Sequence, residues 1–236
     1  MEGVQRTAAP LGSPPPVMDG QHALRAAIAR ASVRDERGLM GTVVWDIDHT
    51  LFDPAPRMAA TVRAFGASVQ DSALDSHSWE KTADRHGLAR EKFGAFWDDY
   101  YWRDATILKD APIGVTVNAA LEAQRAGIHN AIVTGRFRTL APVSRRQLAG
   151  VGIRPDVLLT KTQGQKTPES KAQHFLALLN SGARIEAFVT DRMDEIEAVR
   201  SALLPQGIRP TYIWVVPQAQ TELTLPPDIQ PLVAFS

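Results

Sequence analysis

The residues whose types and spacing suggest chemistry begin in "GTVVWDIDHTLFDPAP", Gly41 to Pro56. There Asp46 and Asp48 stand two apart at the end of an apolar run. With a strand period of two, both carboxylates fall on one side if the strand continues. Carboxylates held close repel unless a cation neutralises them or one keeps a proton. Three more polar groups occupy comparable places: Thr134 in "AIVTGR", Lys171 in "TPESKAQ" and Asp191 in "AFVTDR". Thr134 and Asp191 each close an apolar run, and Lys171 opens the helix between them. A lone Asp-x-Asp is more often a turn cap than a site, since turns are rich in Asp. A third carboxylate changes the balance towards a hard divalent cation, and Mg²⁺ prefers an all-oxygen shell that keeps some water.

Such a set needs a scaffold that gathers strand ends. "GTVVWDI", "IHNAIV", "PDVLLT", "IEAFVTD" and "TYIWVVP" read as strands, most of them apolar enough to be covered on both faces. Between them lie helical periods. Ile113, Val117 and Leu121 define a helix closed by Gly127, and a short one around Val143–Leu148 ends at Gly150. "TPESKAQHFLALLN" has Thr167 as N-cap and Pro168 at N1, and Ile196, Val199 and Leu203 mark the helix in "DEIEAVRSALLPQG". Alternating strands and helices imply a parallel sheet, and the crossover rule makes it doubly wound. The fold class is therefore α/β, a doubly wound (Rossmann-like) parallel sheet, and ligands of such sheets sit at the carboxyl ends of the strands.

Two regions depart from the alternation. From Arg57 to about Leu108 no strand-like run appears. Met58, Val62 and Phe65 predict one helix to Gly66, and Ser78 to Asp104 reads as a second helical region rich in aromatics. The expected organisation is a tail over 1–20, an α/β core over 21–56 and 109–236, and a small helical insert over 57–108. One amphipathic helix is expected from His22 to near Gly38. The Pro-interrupted "QAQTELTLPPDIQPLVAFS" is expected to wrap the surface.

The chain has 236 residues with 26 basic and 26 acidic side chains, so no global field favours nucleic acid or an anionic membrane. It has no cysteine, which excludes disulfides, thiolate metal sites and cysteine nucleophiles. No run approaches the roughly 18 apolar residues of a membrane span, and the first residues lack a secretory leader's pattern. A cytoplasmic protein is expected.

"WDIDHTLFD" resembles the first motif of the haloacid dehalogenase (HAD) superfamily, an apolar strand followed by DxDxT. "AIVTGR" resembles its second motif, "TPESKAQ" supplies its Lys, and "AFVTDRMDE" is similar to its fourth, over about Gly41 to Pro217. The resemblance implies an Mg²⁺-dependent phosphatase acting on a small phosphorylated substrate. Asp46 would be the nucleophile and Asp48 the acid–base. Thr134 would hydrogen-bond a phosphoryl oxygen, with Gly135 and Arg136 beside it at the substrate, and Lys171 would offset charge. Mg²⁺ would be held by Asp46, Asp191 and Asp48, the last through its backbone carbonyl. Lys161 and Lys166 also lie between the second and fourth motifs, and Asp194 and Glu195 compete as the second acid of the fourth. Thr190 and His49 stand where the family often has other residues, Gly in the case of His49.

The insert resembles the family's helical cap. Phe93, Trp97 and Tyr100, with Phe96 and Tyr101, suit packing of its own core better than a base-stacking platform. Arg103 and Lys109 near its exit are candidates to meet an anionic substrate. A phosphomutase would share the core residues. The run from Asp110 to Arg136 is also somewhat similar to the phosphatase domain of polynucleotide kinase/phosphatase proteins. Zero net charge and the lack of a kinase P-loop count against that reading, and a concentrated basic groove would revive it. A non-catalytic binding module is a third class, disfavoured by the intact Asp46, Asp48 and Thr134.

Overall fold

The computed structural model describes residues 19–69, 78–216, 225–226 and 228–234, so most of the expected tail lies outside the described residues. Six strands form one parallel sheet. In chain order they are β1 (Thr42–Trp45), then, after the two-residue β2 (Phe52–Asp53) and β3 (Ala111–Pro112), β4 (His129–Phe137), β5 (Val157–Lys161), β6 (Ile185–Thr190), β7 (Thr211–Val216) and β8 (Ile229–Val233). Their order across the sheet is β5-β4-β1-β6-β7-β8, which sets β1 between β4 and β6. This is the doubly wound α/β fold that the alternation of strands and helices predicts.

Both faces of the sheet are covered, which is why its strands read as nearly continuous apolar runs. On one face Val43, Trp45, Ile132 and Val189 pack with α1 (Gly20–Ala31), α6 (Gly114–Arg125) and α7 (Ala141–Gly150). On the other, Val44, Val133 and Phe188 pack with Phe175 and Leu178 of α8 (Thr167–Asn180) and Ile196, Val199 and Leu203 of α9 (Met193–Leu203). Alternate residues of β1 thus serve opposite layers. Trp45 is fully buried, and its indole N–H donates to Asn130 of β4 at 2.8 Å.

Several boundaries differ from expectation for identifiable reasons. α1 stops at Ala31, because Asp35 folds the next segment into a turn by accepting the backbone N–H groups of Arg37 and Leu39. α8 begins one residue earlier than expected, with Lys166 at its N-cap. β4 runs on through Thr134–Arg136 to Phe137. The expected surface wrap is corrected at Ile229–Val233, which pairs parallel with β7 as the sheet's last strand. Pro231 fits there because an edge strand tolerates a missing donor.

Between β2 and β3, which pair antiparallel, the described chain is helical: α2 (Ala55–Ala64), α3 (Trp79–Arg85), α4 (Arg90–Tyr100) and α5 (Asp104–Ile107). The region expected as one helical stretch after Ser78 divides at Gly87, whose φ of +63° ends a right-handed helix. Met58, Val62, Ala83, Phe93, Trp97 and Tyr101 form an apolar cluster apart from the two that flank the sheet.

Candidate active site

Parallel strands put their carboxyl ends on one edge, and the candidate residues meet there. Asp46 follows β1 directly. Its backbone N–H donates to Val189 of β6 at 3.0 Å, and one carboxylate oxygen accepts the N–H of Ile47 at 2.7 Å. The other carboxylate oxygen lies 2.7 Å from the Lys171 ammonium on α8. Lys171 is fully buried and reaches Glu195 of α9 at 2.5 Å, while Thr190 donates to the same Glu195 oxygen at 2.7 Å. Of the three candidate lysines, Lys171 is the one brought to Asp46. Lys166 caps α8 and is exposed, and Lys161 lines the mouth of the cleft. Of the two candidate acids after Asp191, Glu195 turns inward to the lysine. Asp194 pairs with Arg192 at the surface.

Charge in this corner is unbalanced. Asp46 and Glu195 pair with one ammonium, and Asp191 lies near enough to feel the charges of all three. Burial pushes Asp46 up to about 6, with the Glu195 charge adding and Lys171 opposing. Asp191 is raised well above the carboxylate range by burial and by the charges of Asp46 and Glu195. Burial alone would lower Lys171, but Asp46 and Glu195 outweigh it and hold the ammonium charged. A hard cation beside Asp46 and Asp191 fits this donor chemistry, because it would offset the surplus of carboxylates. Among the described residues no three His, Asp or Glu side chains converge into a metal-holding group. The set read from the sequence needs only two carboxylates and a backbone carbonyl.

Asp48 is placed differently. Its carboxylate leaves the Asp46 corner and is held by two buried arginines. Arg136 donates from Nε to one oxygen at 2.9 Å and from Nη2 to the other at 2.8 Å, and Arg57 of α2 pairs with that second oxygen. Burial would raise Asp48, but Arg136 and then Arg57 outweigh it and keep the carboxyl well below the usual range. The arginines are fixed in turn by Asp110, 3.0 Å from Arg57 and 3.3 Å from Arg136. Ser144 and Gln147 of α7 accept from Arg136 at 3.1 and 2.8 Å. Arg57 also lies under the rings of Tyr101 and Trp102, 4.3 and 5.2 Å from their centroids. Every side-chain nitrogen of Arg136 is therefore engaged by protein groups, while the residue also lines the cleft.

Arg57 and Asp110 were not among the residues read as functional. A signal existed for Arg57: it lies four before Thr61 beside the stripe of Met58 and Val62, and both polar residues are buried. Thr134 is also buried, and its hydroxyl accepts the Arg136 backbone N–H at 3.2 Å. Gly135 lines the cleft, where a side chain would run into Thr167 at 2.8 Å. His49 has a φ of +59°, the left-handed conformation in which glycine is unstrained.

Above these residues opens a cleft of about 340 Å³, walled on the insert side by Trp79, Trp97, Tyr101 and Trp102. Phe93 packs inside the insert against Phe65 and Trp97, and Phe96 stacks on Tyr100. Arg103 pairs with Asp99 and Lys109 faces solvent, and neither lines the cleft. No described helix is long and apolar enough to cross a membrane.

No protein-family model matches the sequence, and no curated protein matches it. Solved structures do resemble the fold. A candidate phosphatase from Clostridium difficile has a TM-score of 0.54 at 17% identity, over 74% of this chain and 84% of its own. A haloacid dehalogenase-like family hydrolase from Streptococcus pneumoniae has a TM-score of 0.52 at 13% identity, over 75% and 85%. A candidate β-phosphoglucomutase from Thermotoga maritima has a TM-score of 0.53 at 18% identity, over 82% and 94%. The fold is thus the α/β fold of HAD-like hydrolases and phosphatases, as the four motifs lead one to expect.

Proposed function

We propose that the protein is an Mg²⁺-dependent phosphomonoesterase working through an aspartyl-phosphate. The observation that carries this reading is the buried Lys171 ammonium held between Asp46 and Glu195 at the carboxyl edge of the sheet. Asp46 attacks phosphorus, and one of its carboxylate oxygens becomes the bridging oxygen of the acyl phosphate as the bond from phosphorus to the leaving oxygen breaks. Water then cleaves the aspartyl-phosphate, releasing inorganic phosphate and restoring the carboxylate. Lys171 stays charged and offsets the negative charge gathered on nucleophile and phosphoryl group. When bound by Asp46, Asp191 and the Asp48 carbonyl, Mg²⁺ supplies further charge stabilisation to the phosphoryl oxygens.

Asp48 moves the proton, to the leaving oxygen and then from water, a service worth about 10²- to 10⁴-fold. In the arrangement described it is an arginine-bound carboxylate, so proton loading requires those bonds to loosen. Arg57 belongs to α2, and it is the partner that shifts if the helices between β2 and β3 act as a cap over the cleft. Arg136 is read as positioning Asp48 and not as a phosphate ligand. A phosphomutase would use the same residues, and analysis of products from phosphosugars separates it.

The test is hydrolysis of p-nitrophenyl phosphate in Mg²⁺. The wild type is expected to turn it over and Asp46→Asn to fall to background. Undiminished turnover by Asp46→Asn overturns the reading, as does wild-type inactivity across a broad phosphate panel.

A further inference from the structure

Beside the cleft lies a groove of about 800 Å³ along the outer strand β5 and the segment that follows β4. Its electrostatics are one-sided. Arg138, Arg145 and Lys161 line it with Phe137 and His174, and no carboxylate does, in a chain whose formal net charge is zero. The cleft, by contrast, is of mixed charge, lined by Asp46, Asp48, Asp98, Asp191 and Glu195 together with Arg136, Lys161 and Arg192. Lys161 borders both spaces, so the groove and the cleft lie side by side.

Phe137 gives the groove a second character. Among the described residues it is the one aromatic among the large apolar side chains left exposed, at 40%. The Lys161 ammonium lies 4.7 Å from its ring centroid. An unburied ring flanked by cations is poor design for a single small phosphoester, whose one phosphate is already met in the cleft. It suits a chain that repeats phosphates and flat bases, because stacking offers affinity on any base while cations follow the backbone.

We propose that this groove binds single-stranded nucleic acid and feeds its phosphorylated end to Asp46, with a base on Phe137 and backbone phosphates at Arg138, Arg145 and Lys161. The inference rests on the phosphomonoesterase reading and names its substrate class. A phosphopeptide laid along the open edge of β5 is the rival occupant, and the test includes it.

The experiment compares kcat/KM for 3′- and 5′-phosphorylated mononucleotide, tetramer and decamer, a phosphopeptide, and p-nitrophenyl phosphate. A rise of about tenfold or more from mononucleotide to decamer, falling with added salt, is expected. Combining Phe137→Ala, Arg138→Ala and Arg145→Ala, all at exposed side chains, should lower the ratio of decamer to p-nitrophenyl phosphate kcat/KM by at least about tenfold. No length dependence, a ratio untouched by the substitutions, or a preference for the phosphopeptide overturns the proposal. Fluorescence anisotropy of a labelled decamer on Asp46→Asn, with and without the three substitutions, tests the groove apart from chemistry. Tight binding lost on substitution supports it even if hydrolysis fails, whereas binding that is absent or unchanged by substitution overturns it.

Discussion

At the scale of single residues, the two aspartates of the first motif live in opposite electrostatic settings. Asp46 is raised in a corner crowded with carboxylates, and Asp48 is lowered between two guanidinium groups. Four buried or half-buried charges, Asp48, Asp110, Arg57 and Arg136, cancel one another, which is what makes their burial tolerable. Arg57→Gln breaks that balance and should cost about 3–5 kcal/mol in urea unfolding. It should also slow alkyl phosphates more than p-nitrophenyl phosphate, because the poorer leaving group depends more on Asp48. Asp110 supplies a pH test. Burial first, then the Asp48 charge, raise it to about 6 against the pull of the arginines. The folded state therefore holds a proton that the unfolded state releases near 3.8. The stability from this group is full below that value and lost as pH rises through about 6. Thermal unfolding of the wild type should fall across this interval relative to Asp110→Asn, by on the order of 3 kcal/mol.

Among the elements, legibility in the sequence followed the strength of the local pattern. β1, β4, β6 and β7 are continuous apolar runs, and α6, α8 and α9 repeat buried residues at helical spacing. All were readable, together with Asp46, Lys171 and Asp191 at their ends. β8 was not, because Pro231 interrupts a short run and the strand forms only through its pairing with β7. The division of the insert at Gly87 was equally hidden within a long polar and aromatic stretch. Asp110 escaped notice because a buried ion pair between distant segments leaves no periodic mark, and the helical spacing that places Arg57 beside the apolar stripe does not say which partner it meets. β8 also depends on a close approach: a side chain at Gly20 would meet the Pro231 carbonyl oxygen at 2.1 Å. Gly20→Ala should push α1 off β8 and destabilise the protein by about 1–3 kcal/mol, with hydrogen exchange in Ile229–Val233 accelerated first.

For the molecule as a whole, the cleft lies where the apolar cluster of the insert faces the carboxyl edge of the sheet, and each side keeps its own packed interior. The carboxylate excess at Asp46, Asp191 and Glu195 makes the catalytic reading depend on an added cation. Dialysis against EDTA should abolish p-nitrophenyl phosphate hydrolysis and Mg²⁺ should restore it, with thermal stability rising on readdition as the repulsion is relieved. Activity that survives chelation would remove the metal from the reading.

The order of strands has a consequence in time as well as in space. β1 comes first of all the strands in the chain, yet its partners are β4 and β6, both far downstream. Pairings between distant segments form slowly, because the intervening chain must surrender its freedom before any contact rewards it. The proposed nucleophile, Asp46, is therefore synthesised early and assembled late. Until β6 docks, Asp46 lacks the Val189 carbonyl that fixes its backbone, and until α8 closes over the sheet it lacks Lys171. A half-made chain carries the motif without the means to use it.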